Sequence, residues 1–191
     1  MNAVVQKIWR EMDETWRQIR QRQARKGEPL VISCGRGCFA CCREPVWVME
    51  VEADAMIAAI PSEELEGVKA RLVEWLARVE PSGLLAEEPN VMAWRALKAW
   101  CPLLKNGECL VYHNRPMGCR THNATGPREA CHDDDKRPRQ IFVMIVEFCD
   151  HFQAKLAHAN AGKLAGNLGA FLAQKLLGRY PDADMGVGGF A

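Results

Sequence analysis

Cys34-Gly-Arg-Gly-Cys38-Phe-Ala-Cys41-Cys42 places four thiols within nine residues, on a loop made pliant by Gly35 and Gly37. Thiols at that density are either oxidised in pairs or gathered on a cation, because free and exposed they are a chemical liability. Gaps of two or three residues let the backbone curl around one ion, as in short loops that wrap zinc or an iron–sulfur cluster. Adjacent side chains diverge, so Cys41 and Cys42 need not serve the same ion. One can bridge, serve a second ion or stand spare.

Four more cysteines lie in a second irregular stretch: Cys101, Cys109, Cys119 and Cys131, within residues 101–131. Asn106-Gly107 between the first two marks a hairpin turn. The ninth, Cys149, sits in the apolar run IFVMIVEFC and reads as a buried, inert thiol. Two loops of four thiols each, at 34–42 and 101–131, imply a fold that clamps them over a shared site, so that metal binding supports folding.

The sequence between and around the loops is helical in pattern. Val4, Val5, Ile8, Trp9, Met12, Trp16 and Ile19 recur at helical spacing, predicting an amphipathic helix over 3–26 with its apolar face on the body. Its basic end (Arg17, Arg20, Arg22, Arg25, Lys26) reads as a solvated helix C-terminus before Gly27 and Pro29. Glu52 to Ile60 predicts a second helix. Ser62 then caps a third, with a stripe of Leu65, Val68, Leu72, Trp75, Leu76 and Val79, and Val91 to Trp100 a fourth. Pro45 to Met49 reads as a short extended or turn segment. C-terminal helices are expected over 140–177, with a break near Gly162 or Gly166. The fold class expected is mainly α: a bundle-like single domain over residues 1–180 with two cysteine-rich metal-binding loops, a small β-hairpin and a flexible tail at 181–191.

The whole-chain balance narrows the function. With 191 residues, 48% hydrophobic and 26% charged, the chain can bury a core without needing metal merely because it is small. A net charge of +1 gives no reason to expect a nucleic-acid or membrane partner. The longest apolar run, Ile141 to Val146, is far short of the roughly 20 residues a membrane helix requires. Nine cysteines is an odd count, and MNAVVQKIWREMDETW lacks a secretory signal's basic start and apolar core. A cytoplasmic setting is therefore expected, where clustered cysteines are metal ligands or redox centres more often than disulfides.

One ordered series of residues matches a known pattern. The loop CxxxCxxCC, then Cys101-Pro-Leu-Leu, a glycine-containing gap to Cys109, Val111-Tyr112, and Arg115-Pro116-x-x-Cys119-Arg120 together resemble the CxxCxxCC cysteine-cluster family of zinc- or iron-chelating domains. The likeness covers residues 34 to 131; the first gap is three residues here where the family name has two. It implies metal binding through Cys34, Cys38, Cys41, Cys42, Cys101, Cys109, Cys119 and Cys131. A related cluster in flagellin lysine methylases, linked to an iron–sulfur centre, gives an enzyme precedent.

Around thiolates, cations have work available. Arg115 and Arg120 would offset the charge of a tetrathiolate site and donate hydrogen bonds to sulfur; Arg115 reads equally as a surface ion-pair residue. His113, His122 and His132 stand close enough in sequence for a mixed Cys/His set, but read first as solvated or capping histidines. His151 and His158 carry no catalytic signal. Asp133-Asp134-Asp135 suits a hard cation in principle and a solvated polar loop in practice.

Three functions compete. The first is a metal-binding protein holding zinc, or iron, in closed thiolate sites for a structural, storage or delivery role, with a protein partner or substrate. The second is an iron–sulfur-dependent enzyme or electron-transfer partner, with protein modification such as lysine methylation within its range. The third is a thiol redox switch using Cys41–Cys42 or a neighbouring pair. The sequence favours the first: no acid–base pair and no phosphate-cradling glycine loop stands beside the cysteines. Zinc is the preferred metal, with iron or an iron–sulfur cluster as the alternative. Cys38→Ser is expected to lower metal content, by elemental analysis, and melting temperature together. Cys149→Ala should leave metal content intact.

Overall fold

The computed structural model describes residues 3–29, 32–85, 90–124, 127–133 and 146–179. The expected 140–145 part of the C-terminal helices, Asp134 and Asp135, and the 181–191 tail lie outside those residues. Within them the chain is mainly α, with seven α-helices and two small antiparallel sheets. The order is α1 (Ala3–Arg25), β1 (Trp47–Met49), α2 (Glu50–Ile57), α3 (Leu65–Val79), α4 (Val91–Leu97), β2 (Leu104–Lys105), β3 (Glu108–Cys109), α5 (Met117–Thr121), α6 (Val146–Ala159), β4 (Ala165–Asn167) and α7 (Leu168–Leu177). No helix among the described residues is long and apolar enough to cross a membrane.

The apolar stripes seat where helical periodicity aims them. Val5, Ile8, Trp9 and Met12 of α1 enter the core, as do Val68, Leu72, Trp75, Leu76 and Val79 of α3. Helix α1 packs on α6 and α2, while α3 packs on α7. The α3–α7 approach depends on Gly169: a Cβ there would stand 2.4 Å from Cη2 of Trp75. Trp75 also stacks on Trp94 at 6.0 Å between ring centroids, which makes it a core residue.

Local chemistry moved several boundaries. Ser62 caps no helix; it opens a 3-10 turn, and α3 begins three residues later. Helix α4 stops at Leu97 rather than Trp100 because Lys98 adopts φ 50° and ψ 32° in the left-handed region. A glycine is the usual occupant of that position, and a lysine there costs about 1–2 kcal/mol. Three-residue β4 was missed altogether. It pairs with β1 across more than a hundred residues, Trp47 opposite Asn167 and Met49 opposite Ala165, a non-local pairing too short to leave an alternating pattern. The Asn167 side chain then caps α7, accepting from the Gly169 amide at 2.8 Å.

One buried acid ties this body to the cysteine region. Glu52 of α2, 2% exposed, accepts from the Met117 amide at 2.8 Å, Trp9 Nε1 at 3.1 Å and the Met49 amide at 3.2 Å. Burial pushes its carboxyl above the ordinary range, while those three donors pull the other way. Helix α5 is thereby capped from α2, and α5 carries Cys119.

On the opposite edge of α2, Lys175 of α7 reaches Glu50 and Asp54, each at 2.8 Å. The Lys175 hydrogen bond holds Glu50 below its usual 4.5. Burial works to raise Asp54, yet Lys175 and Lys163 hold it below 3.8. Depressed carboxyls contribute stability above their unfolded-state values and lose it as pH falls through the folded ones. Lys175→Met should therefore lower the melting temperature at pH 7. The gap to the parent protein should close as pH drops below the range 3.8–4.5 in which the free carboxyls titrate, read by thermal denaturation across pH.

Candidate metal centre

Backbone hydrogen bonds close the two cysteine loops on each other. The Cys101 amide donates to the Cys42 carbonyl at 2.6 Å, and the Ser33 amide to the Ala124 carbonyl at 3.0 Å. In the first loop, Cys38 N–H closes a turn on Gly35 O at 3.0 Å, with Gly37 at φ 78°. A 3-10 turn over Ala40–Arg43 then presents Cys41 and Cys42. In the second, Asn106 and Gly107 both take positive φ, 51° and 78°, which is what a tight two-residue hairpin turn demands. That hairpin sets Cys109 opposite Leu104, three residues beyond Cys101. Cys119 arrives on α5, and Cys131 on a 3-10 turn over Arg128–His132 that packs on Ala40–Arg43.

All nine cysteines are free thiols and only partly covered. Cys34 and Cys38 share a sulfur–sulfur hydrogen bond, which raises Cys34 and lowers Cys38 to about 6, with Arg128 and His132 adding to the latter. Cys42 and Cys41 share another, raising Cys42 and lowering Cys41. Burial pushes Cys101 up to about 12, helped by Cys109 and Cys41. Burial likewise raises Cys109, and it raises Cys119 well above its ordinary value with Cys41, Cys101 and Cys109 adding repulsion. The Cys101–Cys42 backbone bond brings the two loops carrying these thiols together. Cys149 lies apart on α6, packed against the core, its thiol raised by burial.

Backbone amides act on several of the sulfurs. Ala124 N–H donates to Cys34 Sγ at 3.1 Å, and amides two residues downstream serve Cys38 (Ala40), Cys101 (Leu103) and Cys109 (Val111), each favouring the thiolate. The donor chemistry therefore fits a thiophilic cation. Two thiol pairs are closed by their own hydrogen bonds, and among the described residues no three His, Cys, Asp or Glu side chains stand in metal-ligating geometry. A bound ion would replace those shared protons with its own charge. The candidate ligands expected from the sequence are Cys34, Cys38, Cys41, Cys42, Cys101, Cys109, Cys119 and Cys131.

The two arginines divide. Arg115 lies 3.8 Å over the Tyr112 ring and donates to its carbonyl at 3.0 Å, and its charge favours ionised Cys109 and Cys119. Arg120 spends its donors on the Arg115 carbonyl at 2.7 Å and on Asp13 at 2.6 Å, with Trp9 5.2 Å beneath. His132 packs edge-on to Phe39 at 4.8 Å, His122 Nε2 lies 3.6 Å from Glu44 Oε2, and His113 packs on Tyr112. Asp133 N–H donates to the Ala130 carbonyl.

Sequence reasoning passed over the pair that joins these pieces. Arg95 of α4, 2% exposed, donates from Nη1 to Glu44 Oε1 at 2.6 Å and from Nη2 to the Cys131 carbonyl at 3.0 Å. Glu44 is itself buried. The available signal was one arginine within the otherwise apolar Val91-Met92-Ala93-Trp94-Arg95-Ala96-Leu97.

A mainly helical body carrying two interlocked thiol loops is a metal-chelating architecture. The chain belongs to the CxxCxxCC family, whose model, described as "Putative zinc- or iron-chelating domain", matches residues 33–150. No curated protein and no solved structure matches the chain. Arg95→Met should cost about 3–5 kcal/mol by chemical denaturation, because it leaves Glu44 buried without its cation. It should also lower metal content by freeing the Cys131 turn.

Proposed function

We propose that this protein is a zinc carrier or zinc-stabilised adaptor, its cysteine thiolates holding the ion for a structural, storage or delivery role. The observation that carries the reading is the backbone amide of Ala124, in the second cysteine region, donating at 3.1 Å to the sulfur of Cys34 in the first. Such a donor stabilises sulfur as an anion, the form that binds metal. Family membership supports zinc or iron, and zinc suits closed thiolate sites with no redox duty. Eight candidate thiols exceed what one tetrahedral ion takes, which accommodates two ions. The reducing cytoplasm is the setting in which free thiols persist, and a protein partner would receive the ion or bind the stabilised surface.

The test is elemental analysis with an absorption spectrum on protein purified without oxygen and without added metal. Zinc in a colourless solution is the expected result. Iron with labile sulfide and a broad visible band would overturn zinc in favour of iron–sulfur chemistry. Metal-free protein whose thiols titrate as disulfides would leave only the redox switch.

A further inference from the structure

A cleft of about 280 Å³ opens between α3, the end of α4 and the β2–β3 turn, with Cys101 in its wall. Its lining is cationic: Arg71, Arg78 and Lys98 face a single carboxylate, Glu74, with the ring of Trp100 alongside. Arg78 and Lys98 make no ion pair with any described residue, and neither does Glu74. Arg71 anchors one nitrogen, Nε, on the Pro102 carbonyl at 2.8 Å, while its Nη2 is buried without an acceptor. A buried guanidinium nitrogen in that state is costly, and Arg71 is one of the residues that line the cleft.

The backbone points to the same place. Lys98 and Asn106 are the two non-glycine residues with positive φ among the described residues, and both line this cleft. Asn106 meets the needs of its hairpin turn. Lys98 meets no such need, since glycine would end α4 with less strain. A strained cationic residue in the lining of a cationic cleft is an outlier of the kind that accompanies binding sites.

We propose that this cleft binds a small oxyanion, the phosphate or carboxylate head of a metabolite-sized molecule, held by Arg71, Arg78 and Lys98 with its remainder against Trp100. Guanidinium groups match such heads in charge and in paired donor geometry. The volume lies at the lower limit of small-molecule pockets, which excludes a large ligand. With Cys101 in the wall, the bound molecule lies beside the thiol cluster. The inference does not depend on which metal the thiols hold.

The probe is inorganic phosphate, titrated into the full-length protein as purified and followed by calorimetry and phosphorus NMR line width. The parent protein should bind one equivalent saturably. The double variant Arg78→Gln/Lys98→Gly should bind at least tenfold more weakly, with metal content unchanged and melting temperature not lowered, since neither side chain is paired and glycine is at ease at position 98. Arg20→Gln, on α1, serves as the charge control and should bind as the parent does. The proposal is overturned if the parent shows no saturable binding. It is equally overturned if the double variant binds like the parent, or if Arg20→Gln loses as much affinity as the double variant. Metal content measured on the same samples keeps a failure here separate from a failure of the zinc reading.

Discussion

The contact between Arg95 and Glu44 is the constraint on which the cysteine region rests. Both side chains are almost wholly removed from water, and two charges so placed repay their desolvation only by facing each other in good geometry. The pair fixes three things at once: where α4 lies, where the first loop leaves its cysteines, and, through the Cys131 carbonyl, where the second region ends. Hydrophobic packing alone would not do this, because apolar contacts are non-directional. A loop of thiols needs a registered position.

Glu52 performs the corresponding task for α5. Its two oxygens serve donors from α1, the start of α2 and the start of α5, so the helix bearing Cys119 is aligned against the core. Two carboxylates removed from water, Glu44 and Glu52, thus brace different cysteine-bearing elements: Glu44, through Arg95, the turn of Cys131, and Glu52 the helix of Cys119. Negative charge beside thiols is unfavourable for their ionisation, and Glu44 does raise Cys41. The arrangement keeps that repulsion small by giving each carboxylate partners of its own: Arg95 for Glu44, and three N–H donors for Glu52.

Much of this was legible from residues that act locally. The periodic apolar residues of α1 and α3 announce their helices, Asn106-Gly107 announces its turn, and the spacing of the cysteines announces a metal site, because each signal lies within a few residues of what it specifies. What escaped was non-local. The β1–β4 pairing, the Glu52 cap on α5 and the Arg95–Glu44 pair each join positions dozens of residues apart. A buried charged residue looks, in sequence, like any exposed one. The end of α4 was misjudged for a related reason: Trp100 continues the apolar spacing, but Lys98 has already turned the chain.

The bonds that close the cysteine loops also set a timetable. Cys101 follows Cys42 by 59 positions, and Ala124 follows Cys34 by 90. Synthesis at about 5–20 residues per second leaves the first loop waiting roughly 3–12 s for Cys101 to be made. Throughout that interval four thiols sit together with neither the Cys101 amide nor the Ala124 amide to hold them. A disulfide formed then would lock the loop before its counterpart exists, so the nascent chain is most vulnerable to oxidants while half-built.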